Sequence, residues 1–174
     1  MKEINIRTAT TQDAALIADL SRSTFHETFA AQNTAANMEK FMNGQFSAAL
    51  LMKEVGAPGN IFLLAFTGEE PAGYVRLREN NNPPELGAAN ALEIARIYAT
   101  SNAIGKGVGK ALMQECIRIA LEMKKELIWL GVWEHNQRAI EFYARWGFTK
   151  FAEHEFLLGD DAQTDWLMKK DLIR

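Results

Sequence analysis

The chain has 174 residues, 48% hydrophobic and 24% charged, with a formal net charge of −3. That profile fits one soluble globular domain spanning 1–174, and its mild acidity argues against a nucleic-acid binder, whose face is usually basic, while being compatible with a cationic small partner. The lone cysteine, Cys116, excludes an internal disulfide, no apolar run reaches membrane-spanning length, and the opening MKEINIRTAT lacks a signal-peptide core, so a reducing cytoplasm is the expected setting.

Lys2–Thr8 alternates Ile4 and Ile6 with polar neighbours and reads as an opening strand. Thr10 or Thr11 can cap a helix through Ala14, Leu16, Ile17 and Leu20 towards Phe25 and Phe29. Asn33 can cap a second helix bearing Met38, Phe41 and Met42, with Gly44 as its stop, and Ser47 can start a third that ends near Gly56-Ala57-Pro58-Gly59. Ile61–Phe66 reads as a strand, Gly68-Glu69-Glu70-Pro71 as a turn, and Gly73–Leu77 as the antiparallel partner. Glu79–Asn90 reads as a loop long enough to move.

The stretch LEIARIYATSNAIGKGVGKALMQECIRIALEM, residues 92–123, is the centre of the chain. Leu92–Ala99 has the residue types of a strand. Gly105, Gly107 and Gly109 alternate in a turn where backbone N–H groups can converge without Cβ interference. Val108, Leu112, Cys116, Ile119 and Met123 then recur at the spacing of one buried helix face. A glycine turn at a helix N-terminus favours an anion, because unpaired N–H groups and the helix dipole point at it. The spacing is neither GxxxxGK[ST] nor GxGxxG, which excludes the triphosphate and dinucleotide loops; a turn that only joins strand to helix stays the plain alternative. Glu126–Trp133 reads as a strand, Asn136 as the cap of a helix through Ile140, Phe142 and Tyr143 closing at Trp146-Gly147, and Phe148–Leu158 and Thr164–Leu172 as two last strands around Gly159-Asp160-Asp161. The pattern is that of a mixed α/β domain.

Ile97-Tyr98-Ala99, Gly105-Lys106-Gly107-Val108-Gly109-Lys110 and Leu112 resemble the acyl-CoA signature of the GNAT N-acetyltransferases. Asn136, Ala139-Ile140, Phe142-Tyr143 and Gly147-Phe148 resemble that superfamily's later N-x-x-A-x-x-F-Y-x-x-x-G-F pattern. IWLGVWEHNQRAIEFY, GDDAQTDWLM and TFHETFAAQNTAANMEKF are similar to the PaiA-type bacterial spermidine/spermine acetyltransferases. One departure is Ile104, where the superfamily turn often opens with Gln or Arg. The resemblance implies an α/β (α+β) GNAT fold: a mixed, mostly antiparallel twisted sheet of about seven strands flanked by helices, with a β-α-β-α acyl-CoA core.

It also implies acetyl-CoA as cosubstrate, bound along Ile97, Tyr98 and Ala99, with its pyrophosphate on Gly105, Lys106, Gly107, Val108, Gly109 and Lys110 and further contacts from Asn136 and Tyr143. The Ile97 amide would polarise the thioester carbonyl. An amine of pKa about 10 is neutral in only about one molecule in a thousand at pH 7, so a proton must be removed. Glu93 matches the superfamily's strand glutamate base, and on period two it shares a face with Ala95, Ile97 and Ala99; a water chain is the alternative. Tyr143 matches the general acid for the departing thiolate, pKa about 8.5. For a polyamine acceptor, Phe25, Glu27, Trp133 and Glu134 are the candidate contacts, with Glu153 and Glu155 behind them. His26, His135 and His154 lack metal-ligand spacing, so no metal is expected, and Cys116 sits on an apolar helix face. The expected enzyme transfers acetyl to a primary amine, spermidine or spermine first. Rival readings are another small amine, an amino acid or a protein N-terminus as acceptor, or a non-catalytic acetyl-CoA-binding regulator. Neither nucleic acid nor membrane is an expected partner. The oligomeric state, a homodimer included, and closure of the 80–90 loop over substrate are left open.

Overall fold

The structure, a computed structural model, describes residues 2–173. Seven strands, β1 (Ile4–Thr8), β2 (Asn60–Thr67), β3 (Glu70–Arg78), β4 (Ala91–Ala99), β5 (Leu127–Trp133), β6 (Thr149–Leu158) and β7 (Asp161–Asp171), form one sheet. Their order is β1-β2-β3-β4-β5-β7-β6. Only the β4–β5 pair is parallel, and the helix that crosses between those strands is α4 (Val108–Glu122), as a parallel pair requires. This is the mixed, mostly antiparallel sheet the resemblance implies.

The two faces of the sheet carry different helices. Leu63, Val75, Leu77, Ile94, Ile128 and Leu130 pack against Val108, Leu112, Met113 and Cys116 of α4, joined by α5 (Gln137–Arg145) through Ile140 and Tyr143. On the opposite face, Phe62, Leu64 and Tyr74 meet Ile17 and Leu20 of α1 (Ala14–Phe29). Helices α2 (Ala35–Asn43) and α3 (Ala48–Glu54) extend that layer with Phe41 and Leu51, which surround Phe25. Each fully buried side chain of this size contributes about 1.5–3 kcal/mol, so the two apolar layers dominate over any surface ion pair.

Some boundaries differ from the sequence reading. Thr34, not Asn33, caps α2, its hydroxyl accepting from the Asn37 N–H at 3.1 Å; Asn33 instead donates to the Phe29 carbonyl. Strand β3 begins at Glu70, so Pro71 lies inside it, at an end where β4 has not yet joined and no ladder bond is lost. Strand β7 begins at Asp161, three residues before the expected start. On α4 the fully buried positions include Met113 and Ala120, while Ile119 and Met123 are half-buried. The 79–90 loop is fastened: Asn82 donates to the Gly87 and Ala89 carbonyls, and Lys125 meets Glu79 at 2.8 Å.

Gly73 fixes how closely these layers meet. A Cβ there would stand 2.6 Å from the Tyr98 carbonyl oxygen and 3.1 Å from both Leu112 and Val108. Only a residue without a side chain lets α4 and β4 approach β3 together.

Candidate active site

The gap between β4 and β5 defines the site. Their pairing runs from Ala91↔Leu127 to Ile94↔Leu130 and stops, although β4 continues to Ala99 and β5 to Trp133. The cause lies one residue further along β4. On β3, Arg76 faces Arg96 and the next residue, Leu77, faces Ile94, so Ala95 has no partner and bulges. The bulge bends β4 away from β5, and a cleft of ≈ 910 Å³ opens along the divergence.

Backbone groups past Ile94 thereby lose their parallel partner. Thr100 donates its N–H to the Ala72 carbonyl on the β3 side at 2.9 Å. Alternation along the strand turns Arg96 and Tyr98 the same way, so the Ile97 and Ala99 N–H groups aim into the cleft. Ile97, Tyr98 and Ala99 all line it. A ligand backbone can add there as an extra strand.

The bulge also corrects the face expected for Glu93. Two-residue periodicity carries Glu93 onto the side of Ile97 only if no residue is inserted. With Ala95 extra, Glu93 shares a face with Arg78, Arg96 and Tyr98, while Ile94, Ile97 and Ala99 face α4. Glu93 is buried and does not line the cleft; its carboxylate accepts from Arg78 Nε at 2.7 Å, Arg78 Nη2 at 3.0 Å and Asn81 at 3.0 Å.

At the far end of β4 the glycine turn enters α4. Gly107 is the N-cap at φ +89° and Gly105 sits at φ +78°, conformations that an L side chain resists. The N–H groups of Val108, Gly109 and Lys110 belong to the first turn of α4, where no intrahelical acceptor exists. Gly105, Gly107, Gly109 and Lys110 line the cleft; Val108 is buried beneath it. Lys106 does neither: its amide is spent on the Ala103 carbonyl at 3.2 Å and its side chain stays off the cleft wall. Arg138 and Arg145 of α5, seven residues apart on one helix face, line the cleft as well. Sequence reasoning missed both; two exposed arginines on an amphipathic helix carry no local signal, and only the docking of α5 places them.

Asn136 caps α5, its side-chain oxygen accepting from the Ala139 N–H at 3.3 Å, and it lines the cleft. Tyr143 is buried about two turns beyond, against Phe148 and Phe142, and also lines the cleft. Burial pushes its phenol well above the ordinary value, so it keeps its proton across the physiological range and acts as a hydrogen-bond donor. Burial likewise pushes the Cys116 thiol up, which leaves no thiolate and assigns Cys116 to packing.

The other end of the cleft lies under α1 and α2. Phe25 and Phe29 line it, Phe25 stacking on Phe41 at 4.5 Å and Phe29 meeting Trp133 edge-on at 6.1 Å. Phe25 and Trp133, two of the expected acceptor contacts, line this end of the cleft. Glu27 and Glu134 do not: Glu27 is exposed on the outer side of α1, and Glu134 turns to His135 at 3.4 Å. Glu153 and Glu155 are exposed on β6. Three arginines, Arg76, Arg78 and Arg96, line this end; Glu54 meets Arg76 at 2.5 Å and Arg96 at 2.9 Å, and Glu93 holds Arg78. The one acid on the cleft wall among the described residues is Asp165 of β7, which the sequence reading passed over.

A model described as the acetyltransferase (GNAT) family matches residues 18–148. The chain belongs to that family. Membership makes it an acyltransferase whose acetyl donor is acetyl-CoA, and the splayed strands and N–H cradle fit that cosubstrate. The chain is 41% identical over 154 residues to an uncharacterized N-acetyltransferase of Lactobacillus delbrueckii subsp. lactis, spanning 88% of this chain and 89% of that one. It is 24% identical over 171 residues to a spermidine N(1)-acetyltransferase of Thermoplasma acidophilum, spanning 96% of each. Among solved structures, the PaiA N-acetyltransferase from Thermoplasma acidophilum in complex with coenzyme A superposes with a TM-score of 0.77 at 22% identity, over 97% of this chain and 99% of that one. No described helix is long and apolar enough to cross a membrane.

Proposed function

We propose that the protein acetylates the primary amine of a small molecule by direct attack on acetyl-CoA in the cleft between β4 and β5. The observation that carries this reading is the divergence of β4 from β5 after Ile94, which frees the Ile97 and Ala99 amides beside a half-buried aromatic chamber. In it, the Ile97 N–H polarises the thioester carbonyl and stabilises charge that develops on its oxygen. The α4 amides from Val108 to Lys110, with Lys110, Arg138 and Arg145, hold the phosphates. Tyr143 donates a hydrogen bond to the sulfur as the carbon–sulfur bond breaks; full proton transfer from so weak an acid is uphill, so the hydrogen bond is its contribution.

Spermidine or spermine as acceptor draws support from the Thermoplasma relative. A specific observation favours a second reading, a small amine with one cationic group. Polyamines need several anionic or aromatic sites spaced along the chain, and here the acceptor end presents one unpaired carboxylate beside three arginines. Thiol release from acetyl-CoA across a panel containing spermidine, spermine, simple monoamines and amino acids tests both. Release with any amine supports the enzyme, and preference within the panel decides the acceptor. Tight acetyl-CoA binding with no release would instead leave the regulator reading.

A further inference from the structure

Strand β7 carries a carboxylate that pairs with none of the described residues. Asp165 lies opposite Trp133 of β5 and His154 of β6, with its side chain on the acceptor face of the sheet. A Cβ added at Gly131 would stand 3.7 Å from its Oδ2. Gly131 is the first residue of β5 beyond the last β4–β5 pair, so the carboxylate leans over the point where the strands separate. Gly131 adds no side chain beside that carboxylate, and Asp165, Gly131 and Ile97 all line the cleft.

Among the described residues, the acids that meet the basic groups beside this end of the cleft are engaged. Glu54 holds Arg76 and Arg96, Glu93 holds Arg78, and Glu85 holds the register neighbour His154 at 2.9 Å. Asp165 shares the cleft wall with Gly131 and Trp133 of β5, Phe25, Thr28 and Phe29 of α1, and Tyr98 and the engaged Arg96 of β4; among the described residues no hydrogen bond or ion pair joins it to any of them. Burial without a partner raises its carboxyl to about 6, a basicity closer to that of an amine. An unpaired, half-buried carboxylate burdens a fold, and such groups concentrate where chemistry needs them.

We propose that Asp165 is the base that takes the proton from the acceptor ammonium. This rests on the acetyltransferase reading. One N–H bond of the ammonium breaks and its proton passes to a carboxylate oxygen of Asp165, then to water. The freed nitrogen pair forms the N–C bond to the acetyl carbonyl, and the C–S bond breaks with its electrons on sulfur. A second nitrogen proton leaves and the sulfur gains one, so ammonium and acetyl-CoA become amide, CoA thiol and one released proton. Glu93, under three donors and off the wall, positions Arg78 and the ladder below the bulge.

The test is kcat/KM for the fastest acceptor of the amine panel, from pH 5 to 10, for the wild type, Asp165→Asn and Glu93→Gln. With Asp165 as base the wild-type rate rises to about pH 6 and then levels, because carboxylate and ammonium coexist up to the amine pKa of about 10. Asp165→Asn falls on the order of 10³-fold at pH 7, climbs about tenfold per pH unit as neutral amine accumulates, and converges on the wild type near pH 10, with KM for acetyl-CoA unchanged. Glu93→Gln keeps the plateau. A plateau retained by Asp165→Asn, or a deficit equal at pH 7 and pH 9, overturns the assignment while the acetyltransferase reading stands. No thiol release by the wild type with any amine overturns both. Thermal melts at pH 7 confirm that Asp165→Asn is folded.

Discussion

Glu93 and Arg78 stand opposite one another across the β3–β4 ladder, joined by two hydrogen bonds of 2.7 and 3.0 Å just below the Ala95 bulge. The pair anchors β4 where it is about to bend. Glutamine at 93 retains one acceptor oxygen, so Arg78 loses a charge-assisted partner at a buried position. Glu93→Gln is expected to destabilise the fold by about 1–2 kcal/mol, read as a lower chemical-denaturation midpoint. Its pH–rate profile should keep the wild-type shape.

Gly73→Ala tests the layering of β3, β4 and α4. The new methyl would lie 2.6 Å from the Tyr98 carbonyl oxygen, a backbone atom that moves only with its strand. Overpacking of this kind typically costs about 1–3 kcal/mol. Because Tyr98 lies between Ile97 and Ala99, the shift should also weaken acetyl-CoA binding, measured by calorimetry. An alanine variant of wild-type stability and affinity would contradict this packing.

Tyr143→Phe removes the hydroxyl that faces the cleft and keeps the ring on Phe148. Turnover should fall roughly 10²–10³-fold, the scale of one hydrogen bond to developing charge, with acetyl-CoA affinity nearly unchanged. Since burial pushes this phenol up, the wild type should show no alkaline loss of activity from Tyr143 below about pH 10. A variant with unaltered kcat would remove Tyr143 from the reaction.

Asp165 also makes a prediction about stability. Its folded carboxyl sits at about 6, above its ordinary value of 3.8. The folded state therefore holds that proton more tightly than the unfolded chain. The associated stability is fully present below the ordinary value and is lost as pH rises through about 6. Asp165→Asn should melt higher than the wild type at pH 7–8, by the equivalent of about 1 kcal/mol after allowance for partial exposure, and the two should coincide near pH 3.5. Identical melting at pH 7 would show the carboxylate to be unburdened.

Much of the fold was legible because its signals are local. Ser47, Asn136 and Gly107 cap or open helices at the expected places, and Ile97, Tyr98, Ala99, Gly105, Gly107, Gly109 and Lys110 line the cleft. Non-local relationships were not legible. The face of Glu93 depends on one bulged residue, visible only once Arg76 and Leu77 of the neighbouring strand are paired. Glu27 and Glu134 have suitable chemistry beside Phe25 and Trp133, yet residues two apart on a helix, like neighbours at a strand end, point away from each other. Asp165 gave no signal in GDDAQTDWLM because its meaning comes from Gly131, 34 residues earlier and across a strand pair. Arg138 and Arg145 likewise gain a role only from the docking of α5.

Amide hydrogen exchange, resolved to single residues with and without acetyl-CoA, tests the central claim most directly. If the cosubstrate adds to the freed edge of β4 and its phosphates rest on α4, the Ile97 and Ala99 amides and those of Val108, Gly109 and Lys110 become strongly protected. Arg96 and Tyr98, already turned towards β3, change little. Protection confined to other parts of the chain, or binding that leaves Ile97 and Ala99 exchanging as before, would contradict the account.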